Sequence, residues 1–157
     1  LHVFQRRLGN HGRKCAFMRA IASAARVMPW DERAPSSNTG QISRVAVGCD
    51  HMGLERKRQL IEMLQQLGHD VQDYGTDSTD RCDYPDYAAT VGKAVVSGAA
   101  DWGLLVCGTG AGMSMAANKV PGVRAALASD TFTAKMTRRH NAANVLCIGS
   151  WVVGQGL

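Results

Sequence analysis

A chain of 157 residues that is 45% hydrophobic and 20% charged can close one globular core, which excludes a disordered chain. No apolar run reaches the roughly 18 uncharged residues of a membrane-spanning helix, so no membrane partner is expected. The net charge of +5 is uneven: residues 1–41 carry seven Lys and Arg against two acids, residues 42–157 eleven of each, so a nucleic-acid role would rest on the first segment alone.

That segment is rich in Arg, has no acid before Asp31 and closes in PSSNTG, a linker composition. It reads as an organellar presequence or as translated upstream sequence. The expectation is a basic, disordered extension over 1–43 and one α/β domain over 44–157. From Arg44 onward, apolar runs alternate with amphipathic stretches of helical length, the pattern of βαβ units and a parallel sheet. RVAVGC (44–49) is the first strand. In GLERKRQLIEMLQQLG, Leu60, Met63, Leu64 and Leu67 recur on one helical face with charges opposite, and Gly68 suits a C-terminal cap.

DVQDYG (70–75) is a short polar second strand. A helix follows in YPDYAATVGKAVVSG, with Pro85 in its first turn and Ala88, Val91 and Val95 on one face. DWGLLVCG (101–108), the most apolar strand, belongs at the centre of the sheet. AGMSMAANK is a short helix, VRAALAS from Val123 a fourth strand, DTFTAKMTRRH a fourth helix and VLCIG (145–149) a fifth strand. The expected fold is an open five-stranded parallel sheet with helices on both faces. The sequence given ends at WVVGQGL, where a further covering helix would only be starting, so a C-terminal helix is expected to be missing.

Cys15, Cys49, Cys82, Cys107 and Cys147 lie 34, 33, 25 and 40 residues apart, without the close pairs of zinc or dithiol sites. An odd count fits a reducing, cytoplasmic setting, with Cys49, Cys107 and Cys147 buried at strand ends. Ligands of open α/β sheets bind outside the carboxyl ends of the strands. That rule selects GCDH after the first strand, CGTGAG after the third, SD after the fourth and GS after the fifth, together with RRHNAAN where the fourth helix ends.

CGTGAGM has only the first two glycines of a dinucleotide fingerprint and follows the wrong strand, and it lacks the Lys-Ser/Thr ending of a phosphate loop. A glycine turn entering a helix still aims backbone N–H groups at an anion, and the same field favours a thiolate at Cys107. A thiolate beside an oxyanion hole can act as nucleophile or base. A structural turn beside a buried thiol would read the same way. Asp50 could be a catalytic carboxylate or a cap, and His140 a catalyst or a helix-end cation.

GCDHMG, YGT followed by DYPDYA, CGTGAGMSMAANK, VRAALAS and RRHNAANVLCIGS, in this order from Arg44 to Leu157, resemble the ribose-5-phosphate isomerase type B family, which includes galactose-6-phosphate isomerase subunits. The resemblance implies a Rossmann-like subunit, a homodimer or dimer of dimers with active sites at the subunit interface, and no metal or cofactor. It implies aldose–ketose isomerisation of a sugar phosphate through an enediolate, with ribose 5-phosphate and ribulose 5-phosphate of the pentose phosphate pathway as the leading pair. Another sugar phosphate, such as galactose 6-phosphate, and a non-catalytic phosphosugar-binding subunit are the alternatives.

Carried over by residue, Cys107 matches the family's base and His140 its ring-opening acid/base. Asp50 matches the acid near the sugar C1 and C2 oxygens, with Thr109 close by. Gly108, Thr109, Gly110, Ala111 and Gly112 match the backbone anion hole, and His51, Tyr84 and Asn141 match substrate contacts. One departure stands out: Trp151 follows IGS, where the family typically has a phosphate-binding Arg, and further such arginines lie in the family's C-terminal helix. Weak turnover is therefore expected, because a remote phosphate commonly supplies the binding energy used at the reacting carbon.

Overall fold

The computed structural model describes residues 42–153. The expected extension, apart from residues 42 and 43, and any structure after Val153 lie outside the described residues. The elements are β1 (Arg44–Cys49), α1 (Leu54–Gln66), β2 (Asp70–Asp73), α2 (Tyr84–Val96), β3 (Trp102–Cys107), α3 (Ala111–Ala117), β4 (Ala125–Leu127), α4 (Thr131–Asn141) and β5 (Val145–Gly149). All strands are parallel, in the order β2-β1-β3-β5-β4. This is the Rossmann-like sheet expected from the alternation, with the apolar β3 at its centre.

The order also fixes where the helices go. Parallel crossovers are right-handed, so a helix changes face whenever the chain reverses direction across the sheet. It reverses after β2 and again after β4. On one face Leu54, Leu60 and Leu64 of α1 pack on Val45, Val47, Leu104, Val106 and Ile148. On the other, Ala88, Val91 and Ala94 of α2 and Met113 and Ala117 of α3 pack on Ala46, Leu105, Cys107 and Cys147. The α4 residues Ala134 and Arg138 return to the first face, across a groove from Leu64.

Several expectations are corrected. Not every charge of α1 faces outward: Lys57, one turn before Leu60, is 2% exposed and donates from Nζ to Asp73 Oδ2 at 2.7 Å and to the Thr76 carbonyl at 2.8 Å. A buried cation is tolerated because it is paired and hydrogen-bonded. Leu67 stands past the last turn and is exposed, while Gly68, with φ +84°, closes the helix by donating its N–H to Gln65 at 2.9 Å. Cys49 and Cys107 end their strands, whereas Cys147 sits in the middle of β5. Asp130 caps α4, accepting from the Thr133 N–H and hydroxyl at 2.7 Å each, and these bonds hold its carboxyl below the usual range.

Candidate active site

β1, β3 and β5 run side by side and end together, because Val106 is in register with Cys49 and Gly149 with Cys107. Cys107 is 5% exposed, and its Sγ accepts a hydrogen bond from the Gly110 N–H at 3.1 Å. The loop that follows it is clamped from β5: Ser150 N–H donates to the Cys107 carbonyl at 2.8 Å and Trp151 N–H to the Gly108 carbonyl at 3.0 Å. Ser150 Oγ also donates to the Met52 carbonyl at 2.8 Å, tying the loops after β1 and β5 together. Thr109 is exposed, with its Oγ1 3.4 Å from the Ala111 N–H.

The three glycines have separate reasons. A Cβ on Gly108 would stand 2.9 Å from the Trp151 ring, and one on Gly112 2.9 Å from the Tyr84 ring, so two aromatic faces rest on bare backbone. Gly110 has φ +80°, and a Cβ there would lie 2.6 Å from Leu127 Cδ1 and 2.7 Å from the Ile148 carbonyl carbon. Gly110→Ala is expected to cost about 3 kcal/mol in a urea unfolding experiment, left-handed strain and overpacking together. Gly98→Ala, at φ +76° with nothing within 4 Å, tests the strain alone and is expected to cost about 1 kcal/mol.

Asp50 follows β1 and is 6% exposed. Its Oδ1 accepts from the Met52 and Gly53 N–H groups at 3.0 and 3.1 Å, and its own N–H donates to the Val106 carbonyl at 3.3 Å. It therefore shapes the turn into α1 while standing beside the end of β3. His51 Nδ1 accepts from the Cys82 N–H at 3.3 Å, which brings the segment before α2 to the same edge. Tyr84, at the start of α2, completes the rim. Asp50, His51, Tyr84, Cys107 and residues 108–112 thus gather at the carboxyl edge.

His140 and Asn141 do not. The helix α4 runs back against the strand direction, so its last turn lies at the opposite edge. There the Asn141 carbonyl accepts from Arg124 Nε, and Asn144 holds the amino ends of β3 and β4 through Gly103 and Arg124. The expectation that two imidazoles share one edge is corrected for a single chain. Two groups that shape the site stand outside the segments selected by the strand-end rule: Lys57, which pins the 73–76 segment, and Cys82, which holds His51, whereas Ser150 falls in the GS pair that the rule selects after the fifth strand. Only Lys57 left a readable signal, its position one turn before the apolar stripe of α1.

With the site described, three comparisons bear on it. The family described as Ribose/Galactose Isomerase matches residues 45–157. Ribose-5-phosphate isomerase B of Escherichia coli K12 is 47% identical over 113 residues, 72% of this chain and 76% of that one. Galactose-6-phosphate isomerase subunit LacB of Clostridium acetobutylicum is 42% identical over 113 residues, 72% of this chain and 65% of that one. Among solved structures, ribose-5-phosphate isomerase B of Clostridium thermocellum superimposes with a TM-score of 0.71 at 46% identity, covering 71% of this chain and 76% of the other.

Proposed function

Since the chain belongs to the ribose/galactose isomerase family and is a sugar-phosphate aldose–ketose isomerase, we propose that its substrates are D-ribose 5-phosphate and D-ribulose 5-phosphate, with Cys107 as the base. The observation that carries this reading is the Cys107 sulfur seated against the Gly110 N–H at the mouth of the 108–112 loop. In the open-chain aldose the Cys107 thiolate takes the proton on C2. The C–H electron pair becomes the C1–C2 double bond, and the carbonyl π pair moves onto O1. Backbone N–H groups of the loop stabilise that charge, and losing one such donor typically costs about 100-fold to 1000-fold in rate. Asp50 relays the hydroxyl proton between O2 and O1, and the thiol returns its proton to C1 to give the ketose. No cofactor is consumed, since the two carbons exchange oxidation level.

Ring opening is assigned to His140, with Asn141 as a substrate contact, and α4 puts both at the other edge of their own subunit. A homodimer, or a dimer of dimers, supplies them from a second copy. The rim supports a subunit interface there: Met52, Leu127, Phe132, Trp151 and Val152 are all exposed apolar side chains around the carboxyl edge.

The second reading, a phosphosugar-binding subunit with little turnover, is favoured by Trp151. Its ring is 67% exposed, covers Gly108 and has no charge for a phosphate. Trp151→Arg is expected to raise kcat/KM for ribose 5-phosphate on the order of tenfold, with a smaller gain on an unphosphorylated pentose. Assays across ribose 5-phosphate and galactose 6-phosphate, on the chain and this variant, decide between the readings: binding without turnover of either sugar in both proteins favours the binding subunit.

A further inference from the structure

The two ring nitrogens of His51 stand in unlike surroundings. His51 is half-buried and follows Asp50 at the carboxyl edge of the sheet. Its Nδ1 faces the segment before α2, where the Cys82 N–H donates to it at 3.3 Å and the Cys82 Sγ lies 3.8 Å away. Its Nε2 meets no hydrogen-bonding group among the described residues.

The Cys82 amide is fixed in place from both ends of its segment. At the start, Thr76 is 8% exposed and fastened to the sheet: its N–H donates to the Cys49 carbonyl at 3.2 Å, and its carbonyl accepts from the buried Lys57 Nζ at 2.8 Å. The chain then folds back through short-range side-chain bonds, the Ser78 N–H donating to Thr76 Oγ1 at 3.1 Å and the Asp80 N–H to Ser78 Oγ at 3.0 Å. At the far end Asp83, in extended conformation, leads into α2. Tyr87, at the end of the first turn of that helix, sets its hydroxyl beside the side chains of both Thr76 and Cys82, which joins the two ends.

A backbone N–H only donates, and a neutral imidazole has one donor and one acceptor nitrogen. The nitrogen that accepts from Cys82 therefore carries the lone pair, and the ring proton sits on Nε2. Moving the proton to Nδ1 would set two donors against each other and leave the Cys82 N–H without its acceptor, a loss of about tenfold in the tautomer ratio. We propose that Cys82 is a positioning residue, whose amide holds His51 as a neutral Nε2–H donor to an oxygen of the sugar phosphate. This rests on the reading of His51 as a substrate contact. It also divides the chemistry of the edge: with its lone pair engaged by Cys82, His51 does not take the C2 proton, and that step stays with Cys107.

The test is long-range proton–nitrogen NMR of the full chain with isotope-labelled histidine at about pH 8, where a free imidazole is neutral. The His51 signals are assigned by their loss in His51→Asn. The expected spectrum has an unprotonated Nδ1 and a protonated Nε2, favoured about tenfold over the other form, and ribose 5-phosphate shifts the Nε2 signal while Nδ1 stays unprotonated. A proton on Nδ1, or an even mixture of the two forms, would overturn the proposal. So would an Nε2 signal that neither ribose 5-phosphate nor galactose 6-phosphate moves. If galactose 6-phosphate moves it and ribose 5-phosphate does not, the substrate assignment fails and the positioning role stands. Cys82→Pro, which removes the amide donor, is expected to give both tautomers and to weaken ribose 5-phosphate binding about tenfold, whereas Cys82→Ala keeps the N–H and the single tautomer. A folded Cys82→Pro that retained one tautomer would refute the role of the amide, and where that variant does not fold the spectrum of the unmodified chain decides.

Discussion

Cys107→Ala is expected to lower kcat for ribose 5-phosphate by about 1000-fold while leaving KM within about threefold, as measured by steady-state isomerisation and direct sugar-phosphate binding. The split follows from the local geometry. The sulfur is the one group of the loop able to take a proton, whereas the loop is shaped by Gly110, by the two bonds from Ser150 and Trp151, and by the aromatic rings on Gly108 and Gly112. Alanine removes the first and leaves the rest. Cys107→Ser is expected to be almost as inactive, because a serine hydroxyl is a far weaker acid than a thiol and has no base here to activate it. Two other buried thiols serve as controls. Burial pushes the Cys49 thiol up to about 12 and raises Cys147 as well, so both stay neutral. Cys49→Ala and Cys147→Ala should change stability and leave the reaction intact. If Cys107→Ala retained turnover, another group would have to be the base.

The strands and the glycine turn after β3 were legible because they obey local rules. RVAVGC and VLCIG occupy the residues their apolar pattern predicts, since a strand buried on both faces leaves no polar position to shift its ends. VRAALAS shortens to Ala125–Leu127 because it forms the sheet edge, paired on one side to β5. Lys57 was misread because hydropathy treats lysine as a surface residue, and its burial depends on Asp73 and the Thr76 carbonyl, which reach it only after β2 has paired. Cys82 and Ser150 act through a backbone N–H and a carbonyl contact between segments distant in sequence, which no spacing reveals.

The placement of His140 differs in kind, because topology alone settles it. A helix that returns the chain from one parallel strand to the next must end where the next strand begins. His140, four residues before Asn144, therefore belongs at the amino edge, and Cys107 at the carboxyl edge, in any fold of this class. A single subunit cannot use both on one sugar, and a two-fold dimer can, because its symmetry offers each Cys107 a histidine from the other copy.

This leads to a sharp expectation. Cys107→Ala and His140→Ala, each prepared alone, should both be inactive or nearly so, with His140→Ala down on the order of 100-fold. Unfolded together and refolded as a one-to-one mixture, they should recover about a quarter of the unmodified chain's activity, since half of the dimers are mixed and each mixed dimer holds one intact site of two. The result separates two architectures that single variants cannot. If His140 served its own chain's Cys107, every site in the mixture would carry one lesion and nothing would be regained. Recovery also needs the carboxyl edge of one copy to meet the amino edge of the other, so placing a charge on the apolar rim of the carboxyl edge, as in Phe132→Asp, should abolish the regained activity. Phe132 is 71% exposed and sits at the first turn of α4, so that substitution burdens the interface more than the subunit's own core.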